Sequence, residues 1–117
     1  MSETDIVAAV IGALQATGHW AWRCNSGAIM LEGKHGKRLF RGAPTGTPDV
    51  FCVLPGGRLI GLEVKTPKGR QSPGQKAWQE RAERTGVPYA VVRSAGEALR
   101  FVRSIRKGPD EIRSETV

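Results

Sequence analysis

The chain opens on apolar positions at helical spacing. Ile6, Val7, Val10, Ile11 and Leu14 fall on one stripe. Ser2 and Asp5, three apart, form a capping-box-like pair, and Gly18 follows as a stop, so the pattern predicts a helix from Ser2 to Thr17. The period then changes from 3.6 to two. From His19 to Asn25, Trp20, Trp22 and Cys24 alternate with His19, Ala21 and Arg23, which predicts a strand with one buried face; the three tryptophans, Trp78 included, read as core. Asn25 to Gly46 is glycine-rich, with a short hairpin predicted around Ala28–Leu31 and Leu39–Arg41. Its centre, Gly33-Lys34-His35-Gly36-Lys37-Arg38, reads as a basic turn.

Asp49 to Leu54 is a nearly continuous apolar run, as in a central strand covered on both faces. Pro55-Gly56-Gly57 reads as a turn into a strand from Arg58 to Lys65, so the two strands form a hairpin, which Pro67 ends. Ser72 as cap, Pro73 in the first turn and Gly86 with Pro88 as stop frame a helix over Ser72–Thr85, with Ala77, Trp78, Ala82 and Thr85 inward. Tyr89–Val92 is a short strand. Ser94 and Glu97 form a capping box for a helix to about Arg106, with Leu99, Phe101, Val102 and Ile105 inward.

The main elements therefore run α-β-β-β-α-β-α, an α/β (α+β) arrangement with a mixed sheet flanked by helices. The expected division is one domain over residues 1–106 and a polar, flexible tail over 107–117. A length of 117 residues suits a single domain. No apolar run reaches the ~18 residues of a membrane span. Acids at Glu3 and Asp5 argue against a signal peptide. Two cysteines and two histidines, without zinc spacing, make no zinc site, and reduced thiols in the cytoplasm are the default.

Charge changes the picture. Eighteen Lys and Arg against eleven Asp and Glu leave a formal +7, an excess that points to a polyanionic partner, most often nucleic acid. Against that background stand Gly46-Thr47-Pro48-Asp49 and Leu62-Glu63-Val64-Lys65. On a strand, Glu63 and Lys65 share a face. Asp49 opens the preceding strand of the same hairpin, and strands lie about 4.8 Å apart, close enough to bring its carboxylate to Glu63. Two converging carboxylates suit Mg²⁺, which takes one or two carboxylates plus waters and phosphate oxygens. A lysine beside them can orient a water or stabilise a charged transition state, and the chemistry that results is phosphodiester hydrolysis.

These motifs, with Trp22-Arg23-Cys24-Asn25-Ser26-Gly27, Gly69-Arg70-Gln71-Ser72-Pro73-Gly74-Gln75 and Val92-Arg93-Ser94, resemble the virus-type replication-repair nuclease (VRR-NUC) family of the PD-(D/E)XK nuclease superfamily, in order and spacing over about residues 3–103. The resemblance implies a restriction-endonuclease-like core and a metal-dependent DNA endonuclease using Mg²⁺ or Mn²⁺. It makes Asp49 and Glu63 metal ligands assisted by the Val64 carbonyl, Lys65 the catalytic lysine, Gln75 a site glutamine on the helix, and Glu3 an acid that reaches the metal directly or through water. Two residues carry a second reading. Gln75 stands where a capping box places it anyway, and Asp5 competes with Glu3. Lys34, Lys37, Arg38 and Arg41 on the hairpin, and Lys68, Arg70 and Lys76 beside the site, are candidate phosphate contacts or solvated cations. Small members of the family resemble phage or prophage proteins that act as homodimers on branched DNA such as four-way (Holliday) junctions. A flap or non-specific duplex nuclease, or a non-catalytic nucleic-acid-binding module, are the rival readings.

Overall fold

The computed structural model describes residues 1–24, 28–41 and 43–106. Helix α1 (Glu3–Ala16) starts where the sequence places it. The Ser2 side chain accepts from the Asp5 N–H, and the Asp5 carboxylate accepts from the Ser2 N–H at 3.0 Å. Ile6, Val7, Val10 and Leu14 are buried, which is the stripe read from the spacing.

The central sheet is mixed and four-stranded. Its strands are β1 (Trp20–Arg23), β4 (Val50–Leu54), β5 (Arg58–Val64) and β6 (Tyr89–Val92), side by side in that order. β1, β4 and β5 are antiparallel, and β6 joins β5 in parallel through helix α2 (Pro73–Thr85). Helix α3 (Ala95–Arg106) follows β6 and packs on α1. Between β1 and β4 in the chain, β2 (Ala28–Gly33) and β3 (Gly36–Arg41) form a separate two-stranded ribbon. The glycine-rich hairpin is thus longer than the pattern suggested, and Lys37 and Arg38 belong to a strand rather than to the turn. Ribbon strands add to the α-β-β-β-α-β-α series without joining its sheet. The expected tail over 107–117 lies outside the described residues.

Register divides the sheet into two faces. Ala21, Cys52 and Ile60 stand in one row, Val50, Leu62 and Ala90 in the next, and the face they share is the core beneath α1 and α3. On the opposite face Trp22 and Phe51 are partners, and α2 lays Trp78 over Phe51 and Tyr89 at ring separations of 6.1 and 5.6 Å. This corrects the reading of β1. The buried residue of that strand is Ala21, while Trp20 is 68% and Trp22 37% exposed. Helix α1 returns onto β1 after a three-residue link, and a helix can approach a strand closely only over a small side chain. The tryptophans therefore take the face that α2 covers only in part. Helix α2 is corrected too: Ala77 and Thr85 are exposed, Ala82 is buried and Trp78 half-buried. The helix meets the sheet along one narrow stripe, from which position 77 is turned by about 100° relative to Trp78.

Candidate functional site

The two carboxylates meet because the hairpin register requires it. Val50 pairs with Leu62, so Asp49 and Glu63 are the next residues along the two strands, on the face of the sheet opposite α1. Asp49 stands just outside β4 and Lys65 just outside β5, yet hydrogen bonding runs on through both. The Cys24 N–H donates to the Asp49 carbonyl at 2.7 Å, and the Lys65 N–H donates to the Val92 carbonyl at 3.0 Å. The Asp49 carboxylate accepts from the Val64 N–H at 2.8 Å, which ties its side chain to the neighbouring strand.

Glu63 is 1% exposed. One of its oxygens, Oε1, accepts from Gln75 Nε2 at 2.9 Å; the other, Oε2, is buried with no hydrogen-bond partner. A buried polar atom without a partner is costly and calls for an explanation such as an absent ion. Burial is the main cause that pushes this carboxyl up to about 9, followed by the close approach of the Asp49 carboxylate; Lys65 pulls the other way, and Glu3 adds repulsion.

Gln75 holds both positions that the sequence allowed it. Its Oε1 accepts from the Ser72 N–H at 2.7 Å, closing the capping box of α2, while its Nε2 reaches Glu63. Capping and the contact with Glu63 use opposite ends of one amide. Glu3 and Asp5 differ in their surroundings. Asp5 is committed to Ser2, whose hydroxyl lies 2.9 Å from its carboxylate, and Glu3 is the acid whose charge Glu63 feels.

The loop before Asp49 fixes the start of α2 against the hairpin. Thr47 donates from its hydroxyl to the Pro44 carbonyl at 2.6 Å, and Pro48 is fully buried. Gly46, at φ +89°, touches the helix start so closely that a Cβ there would lie 3.0 Å from the Gln75 nitrogen and inside the Gly74 carbonyl. Only glycine fits both the backbone angle and the space. That contact seats Asp49 and Gln75 at one place.

The cationic candidates separate. Lys68, Arg70 and Lys76 are exposed, the first two on the loop after Lys65 and the third beside Gln75. Lys34 and Lys37 are exposed on the ribbon, and Arg38 and Arg41 lie in β3 opposite Leu31 and Ala28, in a sheet distinct from the one that carries the carboxylates. Three contributors escaped sequence reasoning: the Val64 N–H that holds Asp49, and Gln71 and Arg93, which bond distant parts of the chain. Gln71 Nε2 donates to Gln79 Oε1 at 2.9 Å and to the Tyr89 hydroxyl at 3.0 Å. Burial pushes that phenol up to about 12.

Among the described residues no group of three or more His, Cys, Asp and Glu side chains could hold a metal ion. Two carboxylates with backbone oxygens are too few for a structural zinc cage. They do fit a hard cation that keeps most of its waters, and the unpartnered Glu63 Oε2 is the oxygen such a cation would use. Among the described residues no helix is long and apolar enough to cross a membrane.

A solved structure titled "VRR_NUC domain" superimposes with a TM-score of 0.61 at 22% identity, covering 86% of this chain and 94% of that one, and so shares the fold. No curated protein matches the chain. The profile of the VRR-NUC domain matches residues 2–96, which span α1, the carboxylate hairpin, α2 and β6. With a nuclease-type fold and that match over most of its length, the chain belongs to the VRR-NUC domain family.

Proposed function

We propose that this protein is a metal-dependent DNA endonuclease that hydrolyses phosphodiester bonds at Asp49, Glu63 and Lys65. The observation that carries the reading is the buried Glu63 carboxyl, with one oxygen oriented by Gln75 and the other unpartnered, next to Asp49. Asp49 and Glu63 would hold Mg²⁺ or Mn²⁺, with the Val64 backbone beside them and Glu3 at the outer side. A cation bound there supplies a more acidic water and neutralises charge on the phosphate. Lys65 stabilises the charge that builds up on the phosphate, or orients the attacking water, as a point charge. Gln75 fixes the rotamer of Glu63. Lys68, Arg70 and Lys76 contact phosphates next to the one cleaved, and the ribbon cations extend the path.

The +7 balance supports a nucleic-acid substrate. Selectivity for branched DNA and action as a homodimer of about 25 kDa, twice 12.7 kDa, belong to the same proposal. Two sites on a two-fold axis suit paired nicks in a four-way junction. The test is cleavage of a four-way junction, a flap and a linear duplex at equal concentration, with Mg²⁺, Mn²⁺ or EDTA, alongside light scattering across a concentration series. Junction cleavage that needs metal and disappears in Glu63→Gln supports the proposal. Equal cleavage of all three substrates by a monomer would make it a non-specific nuclease, and binding without any cleavage a non-catalytic module.

A further inference from the structure

Arg93 lies in the two-residue link between β6 and α3, half-buried, and its backbone is fixed independently of its side chain: its N–H donates to Glu97 Oε2 at 2.8 Å. The capping box read from the sequence is thereby shifted, since Glu97 reaches past Ser94 to Arg93 while its own N–H donates to the Ser94 hydroxyl at 3.1 Å. From that anchored position the guanidinium crosses to the other end of the site. Its Nη1 donates to the Thr66 carbonyl at 2.6 Å and to the Gly69 carbonyl at 2.8 Å, residues 27 and 24 positions away in the chain.

Those carbonyls bound the turn that follows Lys65. The Gly69 N–H donates back to the Thr66 carbonyl at 2.9 Å, and the turn folds over the lysine stem: a Cβ on Gly69 would sit 3.4 Å from both Cβ and Cδ of Lys65 and 3.2 Å from the Thr66 hydroxyl. A continuous set of contacts therefore runs from α3 through Glu97 and Arg93 to the Thr66–Gly69 turn and on to the aliphatic part of Lys65. Gln71 secures the far end of the loop on Tyr89 and Gln79. Lys68 and Arg70 are exposed between the two fastenings.

We infer that Arg93 is a positioning residue: by bonding the Thr66 and Gly69 carbonyls it holds the turn that packs on the Lys65 side chain and so fixes that lysine. The inference rests on the nuclease reading above. Charge-assisted hydrogen bonds are about twice as strong as neutral ones, and the two N–H groups of Nη1 are held in the guanidinium plane, whereas the ammonium of a lysine rotates freely on a shorter stem. Displacing a reacting group by about 1 Å can cost roughly 10²-fold in rate, so the expected loss is large although Arg93 touches no substrate.

The test compares Arg93→Ala and Arg93→Lys with the wild type. Both variants are expected to keep the wild-type circular dichroism and to lose at least about tenfold in kcat at saturating DNA, with KM nearly unchanged. Duplex affinity in EDTA, and its salt dependence, stay within twofold of wild type. Millimolar guanidinium partly restores Arg93→Ala, and methylammonium does not. Hydrogen exchange at the Gly69 amide speeds up in both variants, a readout that requires no cleavage. Wild-type kcat in Arg93→Lys, or weaker DNA binding with a shallower salt slope, would overturn the inference and make Arg93 a phosphate contact. If the wild type cleaves no phosphodiester the nuclease reading falls, and unchanged Gly69 exchange then removes the clamp as well.

Discussion

Glu63→Gln separates the stability cost of the site from its chemistry. The substitution keeps the shape of the side chain and removes its charge. Oε1 of the new amide still accepts from Gln75, and its Nε2 replaces the unpartnered Oε2 with a donor beside Asp49. The folded-state carboxyl is raised from 4.5 to about 9. A raised folded pKa means that the stability of the buried neutral form is fully present below 4.5 and is lost progressively as the pH rises towards 9. Each unit in that window corresponds to about 1.36 kcal/mol, so at pH 7.5 the metal-free wild type gives up to about 4 kcal/mol that Glu63→Gln keeps. For a domain of this size that is a gain of the order of 10 °C in Tm. The assay is thermal melting of both proteins in EDTA from pH 5 to 8.5, repeated with Mg²⁺. The difference between the two should widen with pH, and Mg²⁺ should raise the wild type alone. A Glu63→Gln variant that melts below the wild type at pH 8 in EDTA, or a difference flat with pH, refutes the reasoning.

Lys65→Ala should lose about 10²–10³ in rate while calorimetry shows metal binding retained; lost affinity with unchanged turnover at saturating metal would make the lysine structural. Gln75→Glu should keep the α2 cap and its stability contribution of about 1 kcal/mol while placing a third carboxylate against Glu63 and impairing cleavage; Gln75→Ala should lose both, so melting and turnover must dissociate between the two. Gly46→Ala puts a methyl into the Gly74 carbonyl at a left-handed backbone angle and should cost at least about 2 kcal/mol in urea unfolding. Neutralising Lys34, Lys37, Arg38 and Arg41 should lower the slope of log affinity against log salt by about 0.9 for each phosphate contact removed. An unchanged slope would place the DNA elsewhere.

Elements whose signals are local were legible in the sequence. The capping pairs at Ser2 and Ser72 and the apolar stripe of α1 lie within a few residues of what they determine, as does the turn at Pro55-Gly56-Gly57. The meeting of Asp49 with Glu63 was legible because a hairpin turns alternation into register. The faces of β1 were not. Alternation shows that Trp20 and Trp22 share a side, but which side is inward depends on where α1 returns, a tertiary fact. Arg93 and Gln71 were illegible for a related reason: Arg93 reaches residues 24 and 27 positions away, Gln71 reaches Tyr89 18 positions on, and no local spacing encodes either contact.

The exposed tryptophans also govern how the protein behaves in solution. Trp20 and Trp22 stand on an edge strand, with Leu59 38% exposed on the same face. Among the described residues β1 pairs only with β4, and an apolar row at such a sheet edge is a template for association with any similar surface. At low ionic strength the +7 charge holds copies apart. The screening length falls from about 10 Å at 0.1 M salt to about 3 Å at 1 M, and that protection goes with it. Salting the protein during purification therefore favours sticking through β1, and oligomers seen only at high salt report this colloidal contact rather than a working assembly.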